Sequence, residues 1–147
     1  MKRKNLHFAD EQSCIADVKS LRAGNEANGQ WTFPQACWHV DKPIKFALRP
    51  PAETEPTPEQ KKAQGFLDSV NASGWPDKQL PSPPTMVPPA DAGPQAIDDF
   101  VKDLDQLAAY PSSHVDMGVF GPVEIGRCRR FILNHAAHHL SFFEPTS

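Results

Sequence analysis

The pattern of hydrophobic and polar residues predicts four long helices. Apolar side chains recur every three or four positions, the spacing that places them on one face of a helix. The segments with this spacing are residues 10–22, 32–43, 94–110 and 122–143. No alternation of apolar and polar residues is long enough to predict a strand. The chain is therefore expected to be all-α.

Two short motifs predict where helices begin. Thr32 is followed three residues later by Gln35, and Thr57 by Gln60, the arrangement of a capping box. The first motif opens the second long helix, which Pro43 is expected to kink or end. The second motif opens an additional short helix, which closes at "SGWP", residues 73–76.

Proline separates the second long helix from the next one. Eleven of the sixteen prolines lie between Pro50 and Pro94, so residues 49–93 form a Pro-rich crossover. The predicted fold is a four-helix bundle with this long crossover, which carries the short extra helix, and residues 1–147 are expected to form a single domain. The pattern leaves open whether the crossover is an ordered roof over a pocket or a flexible segment.

The composition of the chain indicates which kinds of partner and which cellular compartment to expect. The formal net charge is -3 and no basic stripe is present, which disfavours nucleic acid as a partner. No apolar run approaches the roughly 20 residues that a membrane-spanning helix needs. The three cysteines do not have the spacing of a disulfide framework, which is consistent with a reducing compartment. We therefore expect a cytoplasmic, bacterial protein that contacts neither nucleic acid nor membrane.

Three histidines cluster in "NHAAHHL", residues 134–140. His135 and His139 are separated by one helical turn and share an apolar stripe with Cys128, Ile132 and Phe142. This spacing allows both imidazoles to bind one metal ion from the same face of a helix. His138 projects about 100° away from His139, so we expect it to orient a ligand or a substrate.

A third ligand must come from another segment. The remaining histidines are His7, His39 and His114. His39 lies in a predicted helix among apolar neighbours, beside Trp38, which is a candidate pocket residue. Cys37 and Asp41 project to the opposite face of that helix and are weak candidates as ligands. Two interpretations stay open at this point, a metal site and a set of core histidines that only hydrogen-bond within the protein.

Several catalytic classes are not supported by the motifs. A zincin needs glutamate directly after the first histidine of its helical pair, and this chain has Ala136 there. The sequence has no glycine-rich phosphate loop and no "GxSxG" elbow. Cys128 is expected to shape a pocket. Asp41 and Glu124 are the candidates for a general base, and neither is assured.

The segments "WTFPQACWHV" (31–40) and "VFGPVEIGRCRRFILNHAAHHLSFF" (119–143), together with the Pro-rich crossover, resemble the DinB-like superfamily of metal-binding four-helix bundles, also called DinB/YfiT-like. The likeness is greatest to a branch described as a domain of unknown function. In that branch an "FG" turn precedes a helix with a characteristic set of residues. The matching positions are Phe120, Gly121, His135, His138, His139, Leu140 and Phe142.

The resemblance implies a particular metal site. In the superfamily, one histidine on the second helix and a pair on the last long helix hold a divalent ion, nickel or zinc; by position these are His39, His135 and His139. Relatives include thiol-dependent transferases and an isomerase that use low-molecular-weight thiols. The resemblance therefore implies a metal-dependent enzyme, a thiol transferase or a hydrolase, acting on a small molecule. The alternative is a stress-related or structural metal-binding bundle that acts through partners. Related bundles often pair, so a homodimer is compatible with either interpretation, and the sequence does not determine the oligomeric state.

Overall fold

The computed structural model describes residues 3–76, 80 and 82–146, and this part of the chain is mostly helical. Its helices are α1 (Glu11–Ala23), α2 (Phe33–Ala47), α3 (Pro58–Ser73), α4 (Pro94–Ala108) and α5 (Ile125–Leu140). Its strands are β1 (Asn25–Ala27), β2 (His114–Asp116), β3 (Pro122–Glu124) and β4 (Phe143–Pro145). Single 3-10 turns are formed by Pro84–Met86 and Gly118–Phe120.

Side-chain caps define where α2 and α3 begin. Thr32 and Gln35 form a reciprocal capping box at the start of α2, and Thr57 and Gln60 form one at the start of α3. In each box the threonine hydroxyl accepts a backbone N–H three residues on, while the glutamine accepts the N–H of the threonine. These contacts satisfy backbone donors that the helix itself leaves unpaired. Both boxes predicted from the sequence are confirmed.

Pro43 lies inside α2, and the helix continues past it to Ala47. The sequence prediction that the helix could end there is wrong, because the residues that follow are held by burial. Ile44 and Ala47 are fully buried. Pro43 has no N–H to donate to the carbonyl of His39 one turn earlier, so the ladder of hydrogen bonds is broken directly at a candidate metal ligand.

The Pro-rich crossover contains a helix of full length. α3 has 16 residues, as many as α5 and more than α1, so the expected short extra helix is a fifth principal helix. Gln64, Leu67 and Val70 form its buried face. The sequence pattern predicted too short a length for α3, because only one side of this helix is apolar and the prolines around it dominate the local composition. In the described residues, the crossover thus consists of α3 with irregular structure before and after it.

The hydrophobic core lies between α4, α2, α1 and α5. α4 packs against α1 and α2, and α5 packs against α1, α2 and α3. The apolar face of α4 lies in this core and includes three fully buried residues, Phe100, Leu104 and Leu107. Because α2 and α5 are neighbours, their buried faces are brought together, which is the condition for residues on the two helices to form one site.

The short strands form two antiparallel pairs, β1 with β4 and β2 with β3. Three-residue strands are too short for an alternation pattern to reveal, so the expectation of an all-α chain missed them. They also shorten the last helix relative to the predicted range 122–143. Pro122–Glu124 pairs with β2, and Phe143–Pro145 pairs with β1, so α5 occupies only Ile125–Leu140.

Gly121 closes the turn before β3, and we expect its replacement by alanine to destabilise the protein. Its φ of 69° lies in the left-handed region, and an added Cβ would collide with the side chain of Gln60. Strain or overpacking of this kind costs about 1–3 kcal/mol. Chemical denaturation of Gly121→Ala should show a loss of unfolding free energy in that range.

Gly126 provides the matched control. It lies in α5, and an added Cβ at this position meets open space. Gly126→Ala should therefore leave stability unchanged or raise it by about 0.5–1 kcal/mol, because alanine is the better helix former. Equal stability of the two variants would contradict the assigned turn geometry at Gly121.

Candidate metal centre

Three histidine side chains from two helices converge at one point. His39 comes from α2, while His135 and His139 lie one turn apart on α5. One ligand nitrogen from each lies within 4.8 Å of the others. The ring centroids are separated by 5.0 Å for His39 and His135, 4.5 Å for His39 and His139, and 4.7 Å for His135 and His139. This cluster, called the histidine triad below, is the set of residues predicted from the sequence.

The spacing within the histidine triad fits one metal ion. The Nε2 atoms of His39 and His135 are 3.2 Å apart. Two nitrogen ligands of a tetrahedral zinc ion, each about 2.0–2.1 Å from the metal, are separated by about 3.3 Å. The two imidazoles therefore already stand at the separation that a shared ion requires.

Burial keeps the imidazoles neutral. Desolvation lowers the pKa of His39, and it lowers the pKa of His139 to about 2. The pKa of His135 is shifted well below its ordinary value by desolvation and by the neighbouring His139 and His39. Neutral imidazole is the form that binds metal, so the ligands are in the binding form at neutral pH.

Met86 fixes the orientation of His39. The Nδ1 atom of His39 lies 2.7 Å from the backbone oxygen of Met86, in the Pro84–Met86 turn. A carbonyl oxygen only accepts, so Nδ1 must carry the proton and Nε2 must carry a lone pair. A hydrogen bond from the distal N–H to a backbone carbonyl is typical of metal-binding histidines. The turn thus directs the lone pair of His39 toward the two histidines of α5.

The position of the proton on His135 follows from the same network. Nε2 of His39 is an acceptor, so Nε2 of His135 donates across the 3.2 Å gap. The Nδ1 atom of His135 is buried and has no hydrogen-bond partner within the described residues. Coordination through Nε2 requires that this proton leave Nε2. An ion bound through Nε2 of His135 would therefore require one proton at His135 to move or leave.

Two tryptophans flank the histidine triad. Trp31 lies 4.6 Å from His39 and is stacked on His139 at 5.6 Å, measured between ring centroids. Trp75 lies 4.6 Å from His135. Both indoles are half-buried. Sequence reasoning missed them because each lies just outside a helix, where periodicity carries no information.

His138 and Trp38 occupy different surroundings. The ring of His138 lies 4.9 Å from His139 and is stacked on Trp75 at 5.7 Å, so it borders the histidine triad. The ring of Trp38 instead has the ammonium of Lys42 above it at 4.9 Å. The geometry therefore places His138 beside the site, whereas the pocket role expected for Trp38 stays a prediction.

The other candidate residues lie elsewhere in the fold. His7 and His114 are exposed. Asp41 is directed toward Lys45 and Asp103, where burial and the second carboxyl raise its pKa to about 8. Glu124 is exposed and directly precedes the start of α5, whereas His139 lies near the end of that helix. Neither proposed general base is among the contacts recorded for the histidine triad.

The cysteines lie in the core. Cys14, Cys37 and Cys128 are free and fully buried. Burial raises the pKa of all three thiols, that of Cys128 to about 12. A thiol that holds its proton is neither a nucleophile nor a metal ligand at neutral pH. Their packing role agrees with the prediction that Cys37 is a weak candidate as a ligand.

Comparison with known proteins identifies the family. No helix in the described part of the chain is both long enough and apolar enough to cross a membrane. The comparisons found no match among curated proteins and none among solved structures. The profile of one family, described as "Protein of unknown function (DUF1569)", matches residues 1–146. The match covers nearly the whole chain, and the protein therefore belongs to the DUF1569 family.

Proposed function

We propose that the protein binds one divalent metal ion, zinc or nickel, through His39, His135 and His139. The observation that carries this proposal is the 3.2 Å separation of the Nε2 atoms of His39 and His135, with the nitrogen of His139 within reach of both. A core histidine that only satisfies a hydrogen bond does not need two further imidazoles around it.

The donor set supports the choice of metal. Three neutral imidazoles suit zinc, nickel, copper and iron, whereas magnesium and calcium prefer oxygen ligands. Catalytic zinc sites use three protein ligands and keep another coordination position for water or substrate. When bound, such an ion supplies a Lewis acid that lowers the pKa of a coordinated water or thiol. The resemblance to the DinB-like four-helix-bundle superfamily favours the same ligands.

The reaction that we propose is transfer of a low-molecular-weight thiol to a small electrophile, or hydrolysis of a small molecule. The chain contributes the shape of the site. Trp31 and Trp75 place their indole rings against the imidazoles of His39 and His135. Phe131 extends the wall beside Trp75, at a centroid distance of 5.6 Å. An apolar, aromatic wall suits a small organic substrate better than a protein partner.

Metal content is the first test. Protein purified without an affinity tag is expected to contain about one equivalent of zinc or nickel per chain, because the three ligands form one site. Inductively coupled plasma mass spectrometry of the dialysed protein measures this. Protein without bound metal that also fails to take up either ion from solution would contradict the proposal.

The dependence of thiol binding on metal is the second test. A small thiol, such as glutathione or cysteine, is expected to raise the melting temperature only when the metal is loaded, since the thiol would bind through the ion. Stabilisation by metal with no thiol effect would support the alternative, a metal-binding bundle without thiol chemistry. A thiol effect equal in the presence and absence of metal would contradict a metal-centred reaction.

A further inference from the structure

Residues 82–93 of the crossover, which we call the strap, lie against α2 at two points. The backbone oxygens of Met86 and Pro89 in the strap face two side chains that lie one turn apart on α2, His39 and Gln35. His39 Nδ1 is 2.7 Å from the oxygen of Met86, and Gln35 Nε2 donates to the oxygen of Pro89 at 3.2 Å. Gln35 and His39 lie on the same face of α2, so this face both holds the strap and supplies a proposed metal ligand.

The strap is preorganised for these contacts. Met86 N–H donates to the oxygen of Pro83 at 2.8 Å, and Ala92 N–H donates to the oxygen of Pro89 at 3.2 Å. Pro88, between the two contact points, is buried. Proline restricts the unbound chain and lowers the entropy that docking costs. The strap is therefore an ordered turn whose position on α2 sets the position of the Met86 carbonyl.

Gln35 joins the strap to the start of α2. Its Oε1 accepts the backbone N–H of Thr32 at 2.9 Å, which is half of the capping box. Its Nε2 is then directed outward, to the oxygen of Pro89. The amide has both a donor and an acceptor, and the two contacts use both. A side chain with only acceptor oxygens can keep the first contact but not the second.

We propose that Gln35 is a positioning residue for the metal centre, which it serves by holding the strap so that the Met86 carbonyl keeps the proton of His39 on Nδ1. The tautomer with its proton on Nε2 would direct an N–H at the ion position and could not coordinate there. Gln35 touches neither the histidine triad nor a substrate; it acts through the strap. This inference rests on the proposed function, because the measurement of zinc affinity assumes that the histidine triad binds the metal.

Gln35→Glu is the discriminating variant. Glutamate keeps an oxygen for the N–H of Thr32, so α2 stays capped. It replaces the amide donor by a carboxylate oxygen, which repels the carbonyl of Pro89. Gln60→Glu is the matched control, because Gln60 occupies the same place in the capping box of α3 and does not contact the strap. The two variants have identical changes in composition and charge.

Two measurements on the full chain separate positioning from general destabilisation. Zinc affinity, measured by competition with a chromophoric chelator, should fall about 10–100-fold in Gln35→Glu, as is typical when the hydrogen-bond partner of a metal-binding histidine is disturbed. Gln60→Glu should bind zinc as the wild type does. Long-range ¹H–¹⁵N spectra of the metal-free proteins should show the Nδ1–H form of His39 in wild type and Gln60→Glu, and a shift toward the Nε2–H form in Gln35→Glu.

The outcomes are distinct. Wild-type affinity or an unchanged His39 tautomer in Gln35→Glu overturns the proposal, and so does equal weakening in Gln60→Glu. If Gln35→Glu does not fold, Pro84→Gly is the alternative variant, because it loosens the strap without a change in α2. Pro84→Gly should shift the tautomer of His39 in the same direction, and the absence of a shift overturns the proposal. If wild type binds neither zinc nor nickel, the proposed function fails, while the tautomer spectra still decide whether Gln35 positions His39.

Discussion

Replacement of His139 by alanine is expected to abolish the stabilisation that zinc gives to the protein. At a free zinc concentration 100–1,000 times the dissociation constant, binding stabilises the folded state by about 3–4 kcal/mol. For a chain of this size that corresponds to a rise in melting temperature of roughly 5–15 °C. Without His139, one of the three nitrogens is lost, and wild type alone should show the rise in a thermal-shift titration.

His114→Ala is the control for nonspecific binding of zinc to histidine. His114 is exposed and remote in sequence from the ligands on α2 and α5, so its variant should retain the full shift. His139 is the best ligand to replace, since it is only half-buried and its removal disturbs packing less than that of His135. Equal zinc-induced shifts in wild type and His139→Ala would contradict the metal site.

Acid is expected to destabilise the metal-free protein steeply below pH 6.5. The folded-state pKa values of His39, His135 and His139 are lowered, whereas the unfolded chain takes up a proton at each near pH 6.5. The unfolded state therefore binds more protons in this range, and stability is lost as pH falls. Each histidine contributes about 1.4 kcal/mol per pH unit. Asp41 opposes them, because its raised folded pKa of about 8 favours the folded state on acidification.

His135 and His139 each contribute one proton in this range, Asp41 removes one, and His39 adds at most one more. The net dependence is thus one to two protons, or roughly 1.4–3 kcal/mol per pH unit between pH 6 and pH 4.5. Urea denaturation of the metal-free protein at several pH values measures it. His139→Gln should reduce the slope by one proton, and Asp41 affects both proteins equally. A wild-type slope equal to that of His139→Gln would show that His139 is not neutral in the folded state.

Much of the helical fold could be predicted from local chemistry. The capping boxes at Thr32 and Thr57 were recognised because the motif depends on side chains three residues apart. The continuation of α2 past Pro43 was not, because it depends on the burial of Ile44 by other helices. The pair of β1 and β4 was also missed, since it joins segments more than 100 residues apart. Local patterns do not contain such contacts.

The residues of the candidate site were likewise predicted only in part from the sequence. The pairing of His135 and His139 follows from helical spacing, and the structure brings His39 to them. The two indoles and the Met86 carbonyl come from loops or turns, whose positions are set by tertiary packing. Trp38 was proposed as a pocket residue because it is next to His39 in sequence, and this role stays a prediction. Neighbours in a helix point about 100° apart, and the ring of Trp38 contacts Lys42.

The burial of the three cysteines bears on the source of sulfur in any reaction at this centre. Each thiol is enclosed and holds its proton, so the protein offers no thiolate of its own that would compete for the ion. A sulfur donor that reaches the histidines must then be an exogenous molecule. The chain could meet such a cosubstrate in solution without self-inhibition or an intramolecular disulfide as a side product.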